Sequence, residues 1–220
     1  MATQAKPQSF MDRQYFPFFP DCPEEYSWDD RYLVEVGEGD GVNRKHWCLL
    51  GQVMQADTIL RPRIVAKDRD GNSFVVAFYP NDSNDMPRLL KHFKVGNTIA
   101  IFYPVVHQFL DGTMGVRVED TDEVSIIPLG LGDVLKMNDQ VVQFTVTEAT
   151  LRRCHGCGAL KGKLNACGKC KLFHYCDKDC QTGAWSEKNH KKFCKVLGQE
   201  DVKLMHFLKY ETYDWAISFK

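Results

Sequence analysis

Apolar residues recur at every second position in two stretches near the middle of the chain. The run 74–78 places Phe, Val and Phe at alternate positions, and the run 114–118 places Met, Val and Val in the same way. A period of two is that of a strand with one buried face. Asp70-Gly71 and Asp111-Gly112 precede these two runs, and Asp-Gly favours a tight hairpin turn. The pattern therefore predicts two hairpins, each with an inner and an outer face.

Further short β-rich runs flank these hairpins, and a single helical pattern divides them into two groups. The predicted elements are strands at His46–Ala56, Ile64–Lys67 and Phe74–Tyr79, a helix at Met86–Phe93, and strands at Thr98–Val106 and Met114–Val118. Three strands, a helix and two strands is the element order of the five-stranded OB barrel, which residues 41–130 resemble in this respect. The predicted fold is thus mainly β, with an OB-like barrel as its largest domain.

The barrel is flanked by segments of different composition. Residues 1–40 mix nine acids with aromatics and closely spaced prolines, which exclude a regular helix or a central strand. We predict an irregular arm that packs its aromatics onto the barrel, the alternative being a free arm that binds a partner. Residues 131–150 form a predicted connecting segment with one strand at Val141–Val146, and 198–220 a predicted tail with a helix at Asp201–Tyr210.

Composition places the protein among globular chains, since 44% of its residues are hydrophobic. No stretch approaches the roughly 20 apolar residues that span a bilayer, and the first ten residues lack the apolar core of a signal peptide. We expect a location in the cytosol or nucleus and no membrane partner. Seven of the nine cysteines fall between 154 and 194. In a reducing compartment such clustering indicates metal binding.

The clustered cysteines form four spaced pairs, one of which is completed by a histidine. The pairs are Cys154-x2-Cys157, Cys167-x2-Cys170, Cys176-x3-Cys180 and His190-x3-Cys194. A Cys-x2-Cys turn directs two thiolates to one point, and an x3 spacing on a helix puts both ligands on one face. Eight ligands suffice for two closed tetrahedral zinc sites. Such sites lack an open position for substrate, so the two predicted zinc ions are structural.

In spacing, order and intervening residues, 154–194 resembles the MYND-type zinc finger, which covers 41 of the 220 residues. The matching positions outside the ligands are Phe173, Tyr175, Gln181 and Trp185. The resemblance implies a small α+β unit, at 151–197, with two cross-braced zinc ions. It also implies interleaved ligand sets, which spacing alone does not give. These sets are Cys154, Cys157, Cys176 and Cys180 for one ion, and Cys167, Cys170, His190 and Cys194 for the other.

The resemblance to this family implies an adaptor that binds short proline-containing peptides of partner proteins, often in transcriptional or signalling complexes. We predict that Lys171–Tyr175 is a strand whose open edge accepts an extended peptide. Phe173 and Tyr175 lie in this strand, and Gln181 and Trp185 on the next helix are predicted to line the pocket. Trp185 has an equally weighted alternative as filler over the zinc sites.

Four other residues compete for roles in metal binding or catalysis. His155 and His174 adjoin the ligand pairs, but including either would break the count of eight ligands. Cys22 and Cys48 stand alone in the sequence, and a lone cysteine is usually a small buried apolar residue. We predict that none of the four is a zinc ligand or a catalytic group.

Nucleic-acid binding is the main alternative function. Residues 151–196 hold eleven bases against three acids, whereas 44–120 hold ten against eight. The barrel is therefore a weak electrostatic attractor for a nucleic-acid strand, although Tyr79, Tyr103 and Arg117 in one open groove would favour that function. An enzyme is not expected, since the chain has no segment resembling the SET domain that accompanies some MYND fingers. It also lacks a phosphate-binding glycine loop, a nucleophile elbow and a zinc-protease helix.

Overall fold

A computed structural model describes residues 6–37, 40–57, 62–80, 86–146 and 151–219. Thirteen strands occur in these ranges: β1 Leu33–Gly37, β2 Asp40–Asn43, β3 Cys48–Asp57, β4 Arg63–Lys67, β5 Ser73–Phe78, β6 Thr98–Phe102, β7 Val106–Gln108, β8 Met114–Val118, β9 Val124–Ile127, β10 Arg152–Arg153, β11 Leu160–Lys161, β12 Asn165–Ala166 and β13 His174–Tyr175. The α-helices are α1 Met86–Leu90, α2 Leu131–Thr145, α3 Lys178–Glu187, α4 His190–Phe193 and α5 Glu200–Phe207. None of these helices is long and apolar enough to cross a membrane.

The largest sheet has seven strands in the order β7-β8-β5-β4-β3-β6-β9. Strands β3, β4 and β5 form an antiparallel meander, β5 runs parallel to β8, and β3 pairs with β6. Strands β6 and β7 are successive parts of one segment and are interrupted only at 103–105. Because β6 pairs with β3 while β7 pairs with β8, this segment closes the sheet into a ring. The topology is that of the predicted OB barrel, with β9 added outside β6.

Two backbone features make this closure sterically feasible. Tyr103 has φ of 51°, in the left-handed region, and ends the pairing of β6 so that β7 can turn to a new neighbour. Gly115 lies opposite Val75 in the parallel β5–β8 pair, where an added Cβ would lie 2.2 Å from the Val75 carbonyl oxygen. Only glycine fits at this point of the ring.

A continuous apolar core fills the barrel. Its members include Leu49 on β3, Ile64 on β4 and Ile101 on β6, all almost completely buried. The predicted arm contributes to this core, because Phe19 stacks on Phe74 with ring centroids 4.9 Å apart. Cys22 is also buried in it, and burial raises the pKa of its thiol. Cys48 is likewise buried, so both lone cysteines are small apolar residues as predicted.

Most predicted elements of the barrel appear within one or two residues of their predicted ends, but the segment after it was predicted wrongly. Val141 lies in the 15-residue helix α2, so the strand predicted at Val141–Val146 is wrong. Buried residues recur in this helix at Val134, Met137, Val141 and Phe144, which is a helical period. The hairpin of β1 and β2, within and just after the predicted irregular arm, was not foreseen either.

The chain divides into two compact units. One consists of Met1–Phe10 and Leu135–Leu208, and the other of Met11–Val134 and Lys209–Lys220. The first contains the cysteine pairs and the second the barrel. The C-terminal helix α5 belongs to the first unit, whereas the last twelve residues belong to the barrel unit, where the Phe219 amide donates to the Asp122 carbonyl. The helix predicted at Asp201–Tyr210 is confirmed, with bounds Glu200–Phe207.

Candidate functional site: a zinc-binding finger

The eight side chains of the four pairs converge into two groups. The ligand atoms of each group lie within 4.8 Å of one another. The first and third pairs form the outer cluster, Cys154, Cys157, Cys176 and Cys180, and the second and fourth form the inner cluster, Cys167, Cys170, His190 and Cys194. Every ligand of the inner cluster is buried, whereas Cys157 of the outer cluster is exposed. The pairs are therefore cross-braced, with the ligand sets that the resemblance implied.

Distances between the ligand atoms fit a tetrahedral zinc ion. With Zn–S bonds of about 2.3 Å, two sulfur ligands should lie roughly 3.8 Å apart. Cys157 Sγ lies 3.7 Å from Cys176 Sγ in the outer cluster, and Cys167 Sγ lies 3.7 Å from Cys194 Sγ in the inner one. Thiolates and imidazole are the donors that Zn²⁺ prefers, and four donors leave no position for water. The finger thus holds two structural zinc ions, one in each cluster.

Backbone amides support the thiolates of both Cys-x2-Cys turns. Burial alone would raise the pKa of Cys154, but hydrogen bonds from backbone N–H groups, among them that of Cys157, lower it to about 7. In the second turn the amides of Cys170 and Lys169 act in the same way and lower the pKa of Cys167 against the effect of burial. Each turn is thus prepared for a thiolate, the form that binds metal.

The two turns also share their exit geometry. Gly158 follows the first turn with φ of 78°, and its N–H donates to the Cys154 carbonyl at 2.9 Å. Lys171 occupies the matching position in the second turn, with φ of 60° and an N–H donated to the Cys167 carbonyl at 3.0 Å. Glycine adopts this left-handed conformation without a steric penalty, but lysine does not. Lys171 is therefore held in a turn rather than a strand.

His190 binds zinc through Nε2, because its other ring nitrogen is engaged. Nε2 lies 3.4 Å from Cys170 Sγ, while Nδ1 lies 2.6 Å from the Tyr175 hydroxyl. Burial lowers the pKa of His190 to about 4, so the ring is neutral, as a metal ligand must be. The remaining ring proton is donated to Tyr175, an arrangement that fixes the orientation of a ligating imidazole.

This hydrogen bond is the first of a buried series that leads away from the metal. The Tyr175 hydroxyl lies 3.2 Å from His155 Nδ1, and His155 Nε2 lies 2.9 Å from Gln140 Oε1. The Gln140 amide then donates from Nε2 to the Lys188 carbonyl at 2.9 Å. Burial, and then the neighbouring His190, lowers the pKa of His155 to about 3, so this ring is neutral too. Both nitrogens of His155 are thus occupied, which excludes it as a zinc ligand, as predicted.

A finger of this kind, in which four ligand pairs form two cross-braced closed zinc sites, belongs to the structural zinc fingers rather than to the catalytic zinc centres. The model for the MYND finger matches residues 154–194. The chain therefore carries a MYND finger, and MYND fingers are protein-interaction modules. The remainder of the chain lies outside the matched segment.

Relatives with a similar sequence share only the finger. Histone-lysine N-methyltransferase SMYD1 of Homo sapiens is 48% identical over 44 residues, which are 20% of this chain and 9% of that protein. The SET and MYND domain-containing protein DDB_G0277331 of Dictyostelium discoideum is 56% identical over 34 residues, or 16% of this chain and 6% of that protein. The chain thus spans less than a tenth of the length of these relatives. The likeness concerns the non-catalytic finger.

Solved structures similar to this one have low overall superposition scores. The Stn1-Ten1 complex of S. pombe matches 46% of this chain and 68% of its own, with 14% identity and a TM-score of 0.30. Rim1, a mitochondrial single-stranded DNA binding protein of S. cerevisiae, matches 40% of this chain and 98% of its own, with 8% identity and a TM-score of 0.30. The assignment of the OB topology therefore depends on the strand pairing described above.

The predicted peptide-binding residues occupy different environments. Phe173 and Tyr175 are buried inside the finger, whereas Lys171 is exposed and Gln181 is half-buried. Trp185 is 37% exposed, and its indole meets the His190 ring edge-on at 5.3 Å. Trp185 therefore fits both predicted roles, because it covers a zinc ligand and is also accessible to a partner at the surface.

The expectation of an open strand edge at Lys171–Tyr175 is wrong. The strand is limited to His174–Tyr175, and β12 pairs with it on one side. On the other side Cys154 forms a bridge with His174, whose carbonyl accepts the His155 amide. Sequence spacing could not reveal this second neighbour, because it arrives from twenty residues earlier in the chain. Gln140 was also missed, since nothing in the local sequence distinguishes its amide from a solvated one.

A groove with a volume of about 650 Å³ lies on the barrel, between the β7–β8 loop and strands β4 and β5. Arg117 lies over the Tyr79 ring at 4.7 Å, and Phe109 lines the same groove. Tyr103, the third residue named in the prediction for nucleic acid, does not line it. Its hydroxyl instead accepts the Ile217 amide and lies 2.6 Å from His46 Nδ1. Two of the three residues are therefore brought together.

Proposed function

We propose that the protein is an adaptor of the cytosol or nucleus, whose MYND finger binds a short proline-containing peptide of a partner protein. Trp185 is the observation that supports this proposal most directly. Its indole is partly exposed, yet it is held in place against a buried zinc ligand. Rigid, partly exposed tryptophans supply binding energy at low entropic cost, and they are frequent at the centres of interfaces.

The helix that carries Trp185 places a polar side chain beside it. Gln181 precedes Trp185 by four residues in α3, so the two side chains lie on one face of the helix. An amide next to an indole can hydrogen-bond to the backbone of a bound peptide while the ring covers a proline or leucine. Because both edges of β13 are paired, the peptide is held by side chains of this surface rather than by strand addition.

The finger is also basic, and this charge favours a partner with acidic residues near its proline motif. Residues 151–196 carry eight more bases than acids, before the charges of zinc and thiolates are counted. Exposed lysines at the edge of an interface mainly raise the rate of association and its dependence on salt. We therefore assign specificity to Trp185 and Gln181, and association rate to the lysines around them.

Titration of a peptide array with the zinc-loaded protein tests this proposal. Burial of an aliphatic side chain contributes about 1.5 to 3 kcal/mol, so Trp185→Ala should raise the dissociation constant about 10- to 100-fold. The matched control is Trp215→Ala, which removes an exposed tryptophan from the barrel unit. Zinc content must stay at two ions per chain in both variants. Unchanged binding by Trp185→Ala, or the absence of any bound proline-containing peptide, would refute the proposal.

Single-stranded nucleic acid is a second candidate ligand, supported by the barrel groove. Tyr79 and Phe109 offer rings for base stacking, and Arg117 adds a cation beside them. The nearby acids Asp111 and Glu119 form ion pairs with Arg63 and Arg117, which reduces the attraction for phosphates. Fluorescence anisotropy with a labelled oligonucleotide tests this function. Arg117→Ala should weaken binding severalfold, whereas Lys94→Ala, a change in an exposed residue outside the groove, should not.

A further inference from the structure

Helix α2 precedes the first zinc ligand, yet its inner face is buried as deeply as the finger itself. Asn138 and Val141 are fully buried, and Phe144 is nearly so. The Phe144 ring meets the His155 ring edge-on with centroids 4.9 Å apart, and the Lys188 ammonium lies 4.2 Å from the centroid of the Phe144 ring. The last turns of α2 thus pack against residues that stand beside zinc ligands in the sequence.

Polar contacts at the same place have only one consistent arrangement of protons. Since His190 binds metal through Nε2, its Nδ1–H must donate to Tyr175, and the Tyr175 hydroxyl must then donate to His155 Nδ1. His155 Nε2–H is left to donate to Gln140 Oε1, and the Gln140 amide N–H donates to Lys188. Tyr175, His155 and Gln140 therefore each donate and accept, and Gln140 supplies the only side-chain amide oxygen in the series.

The His155 ring is fixed by packing as well as by hydrogen bonds. It stacks on Phe173 with centroids 3.8 Å apart and 15° between the ring planes. The Phe144 ring packs against it edge-on, with centroids 4.9 Å apart. A ring held in this way cannot turn to find another acceptor. If Gln140 were apolar, the His155 N–H would be buried without a partner, and such a group destabilises the folded state.

We propose that Gln140 is a positioning residue for the inner zinc site, and that the zinc-dependent folding unit begins in α2 rather than at Cys154. This inference depends on zinc binding in the inner cluster and is independent of any peptide ligand. Outer-sphere hydrogen bonds commonly change metal affinity about ten- to hundredfold. Gln140 acts through His155 and Tyr175, so its effect falls on the site that contains His190.

The N-terminal residues of the described chain extend the same unit. The Phe10 amide donates to Asn138 Oδ1, and Asn138 Nδ2 donates to the Gln8 carbonyl, both at 2.8 Å. The Phe10 ring also packs on His206 at 4.7 Å. Asn138 and Gln140 both belong to α2, so loss of zinc from the inner site should loosen residues 8–10 together with this helix.

Cobalt-substituted full-length protein tests the proposal, because the visible bands of Co²⁺ distinguish a four-sulfur site from a site with three sulfurs and one nitrogen. Gln140→Leu should weaken metal binding at the inner site about ten- to hundredfold and leave the outer site within about threefold. Gln143→Leu is the matched control, since Gln143 is an exposed glutamine of the same helix. It should leave both sites unchanged.

Tyr175→Phe provides a second variant that keeps the ring and removes only the hydroxyl at the centre of the series. It should weaken the inner site by a similar factor, and the double variant with Gln140→Leu should lose less than the product of the two effects, because both break one series. Equal weakening of both sites by Gln140→Leu would indicate general destabilisation and overturn the proposal. Unchanged affinity of the inner site would overturn it as well.

Hydrogen exchange on the wild-type protein tests the boundary of the folding unit directly. Removal of zinc should abolish the protection of amides in 137–145 along with those of 151–197. If α2 retained its protection after both zinc ions had been removed, the zinc-dependent unit would begin after it, and the second half of the proposal would be wrong.

Discussion

The barrel and the finger unit are stabilised in different ways. The barrel buries a continuous set of aliphatic and aromatic side chains, such as Leu49, Ile64 and Ile101, which need no ligand to stay together. The finger buries six cysteines and histidines beside a few apolar residues such as Phe173 and Leu197, and five of those six are ligands of the two clusters. A region of about forty residues is too small for an apolar core alone, so metal bonds take its place. Stability in this chain therefore has two separate sources.

Removal of zinc should give the largest difference between the two regions. Structural zinc contributes about 10 to 16 kcal/mol to small fingers, so chelation should unfold 151–197 completely. The barrel strands should keep their amide protection, because their contacts contain no metal ligand. Hydrogen exchange followed by mass spectrometry, with and without a strong chelator, measures both regions in one sample.

Readdition of zinc provides the control for this experiment and should restore the protection of the finger. Metal analysis of the untreated protein should give two ions per chain. An equal loss of protection in residues 48–127 would show that the barrel also depends on the metal, and the contrast between the regions would be lost.

The contribution of one barrel carboxyl, Glu123, should depend on pH in the direction opposite to zinc binding by the finger. Burial, and then the neighbouring Asp120, raises the pKa of Glu123 in the barrel to about 7. A carboxyl with a raised pKa favours folding most when it is protonated, so its contribution is complete below about pH 4.5 and is lost as the pH rises to 7. This loss should amount to about 1 to 3 kcal/mol of barrel stability. In the finger, acid instead protonates thiolates and releases zinc.

Glu123→Gln separates this carboxyl from all others in the barrel. The variant should gain barrel stability at pH 8 relative to wild type and match it near pH 4.5. Denaturant unfolding followed by barrel amides at several pH values measures the difference. A stability difference between Glu123→Gln and wild type that stays the same from pH 5 to 8 would contradict the assignment.

The smallest expected effect lies within the finger, between its two Cys-x2-Cys turns. Gly158 and Lys171 occupy equivalent left-handed positions, and only glycine does so without strain. Lys171→Gly should therefore stabilise the zinc-loaded finger by about 1 kcal/mol, and Gly158→Lys should destabilise it by a similar amount. The midpoint of zinc release under denaturant measures both. Destabilisation by Lys171→Gly would show that the lysine side chain makes a contact that outweighs the strain.

Local sequence spacing was sufficient for the metal ligands and for most strands of the barrel. Two cysteines a few residues apart indicate a metal-binding turn by themselves, and Asp-Gly indicates a hairpin turn without any information from distant residues. Helix α2 was missed because Gly130 and Gly132 resemble a loop and because Val141 and Val142 favour strands. The helical spacing of its apolar residues is recognisable only when the whole segment 131–145 is compared with a period of about 3.6 residues.

Features that depend on distant parts of the chain could not be predicted. The second neighbour of β13 comes from Cys154, and the acceptor for His155 comes from Gln140. Neither residue carries a local signal of its partner. The absence of Tyr103 from the groove of Tyr79 and Arg117 is a similar case. Tyr103 itself adopts the left-handed conformation that redirects the chain between β6 and β7, and no local pattern predicts that conformation.

The parallel pairing at Gly115 has a consequence for the kinetics of folding. Strands β3, β4 and β5 follow one another closely in the sequence, and so do β7 and β8, but the contact of Val75 with Gly115 joins residues forty positions apart. Closure of such a long loop loses chain entropy before it gains contacts, so it belongs among the late and slow steps. Any side chain at residue 115 would block this step at the Val75 carbonyl. Because residue 115 lacks a Cβ, an intermediate in which β5 and β8 are still unpaired edges can proceed to the closed ring.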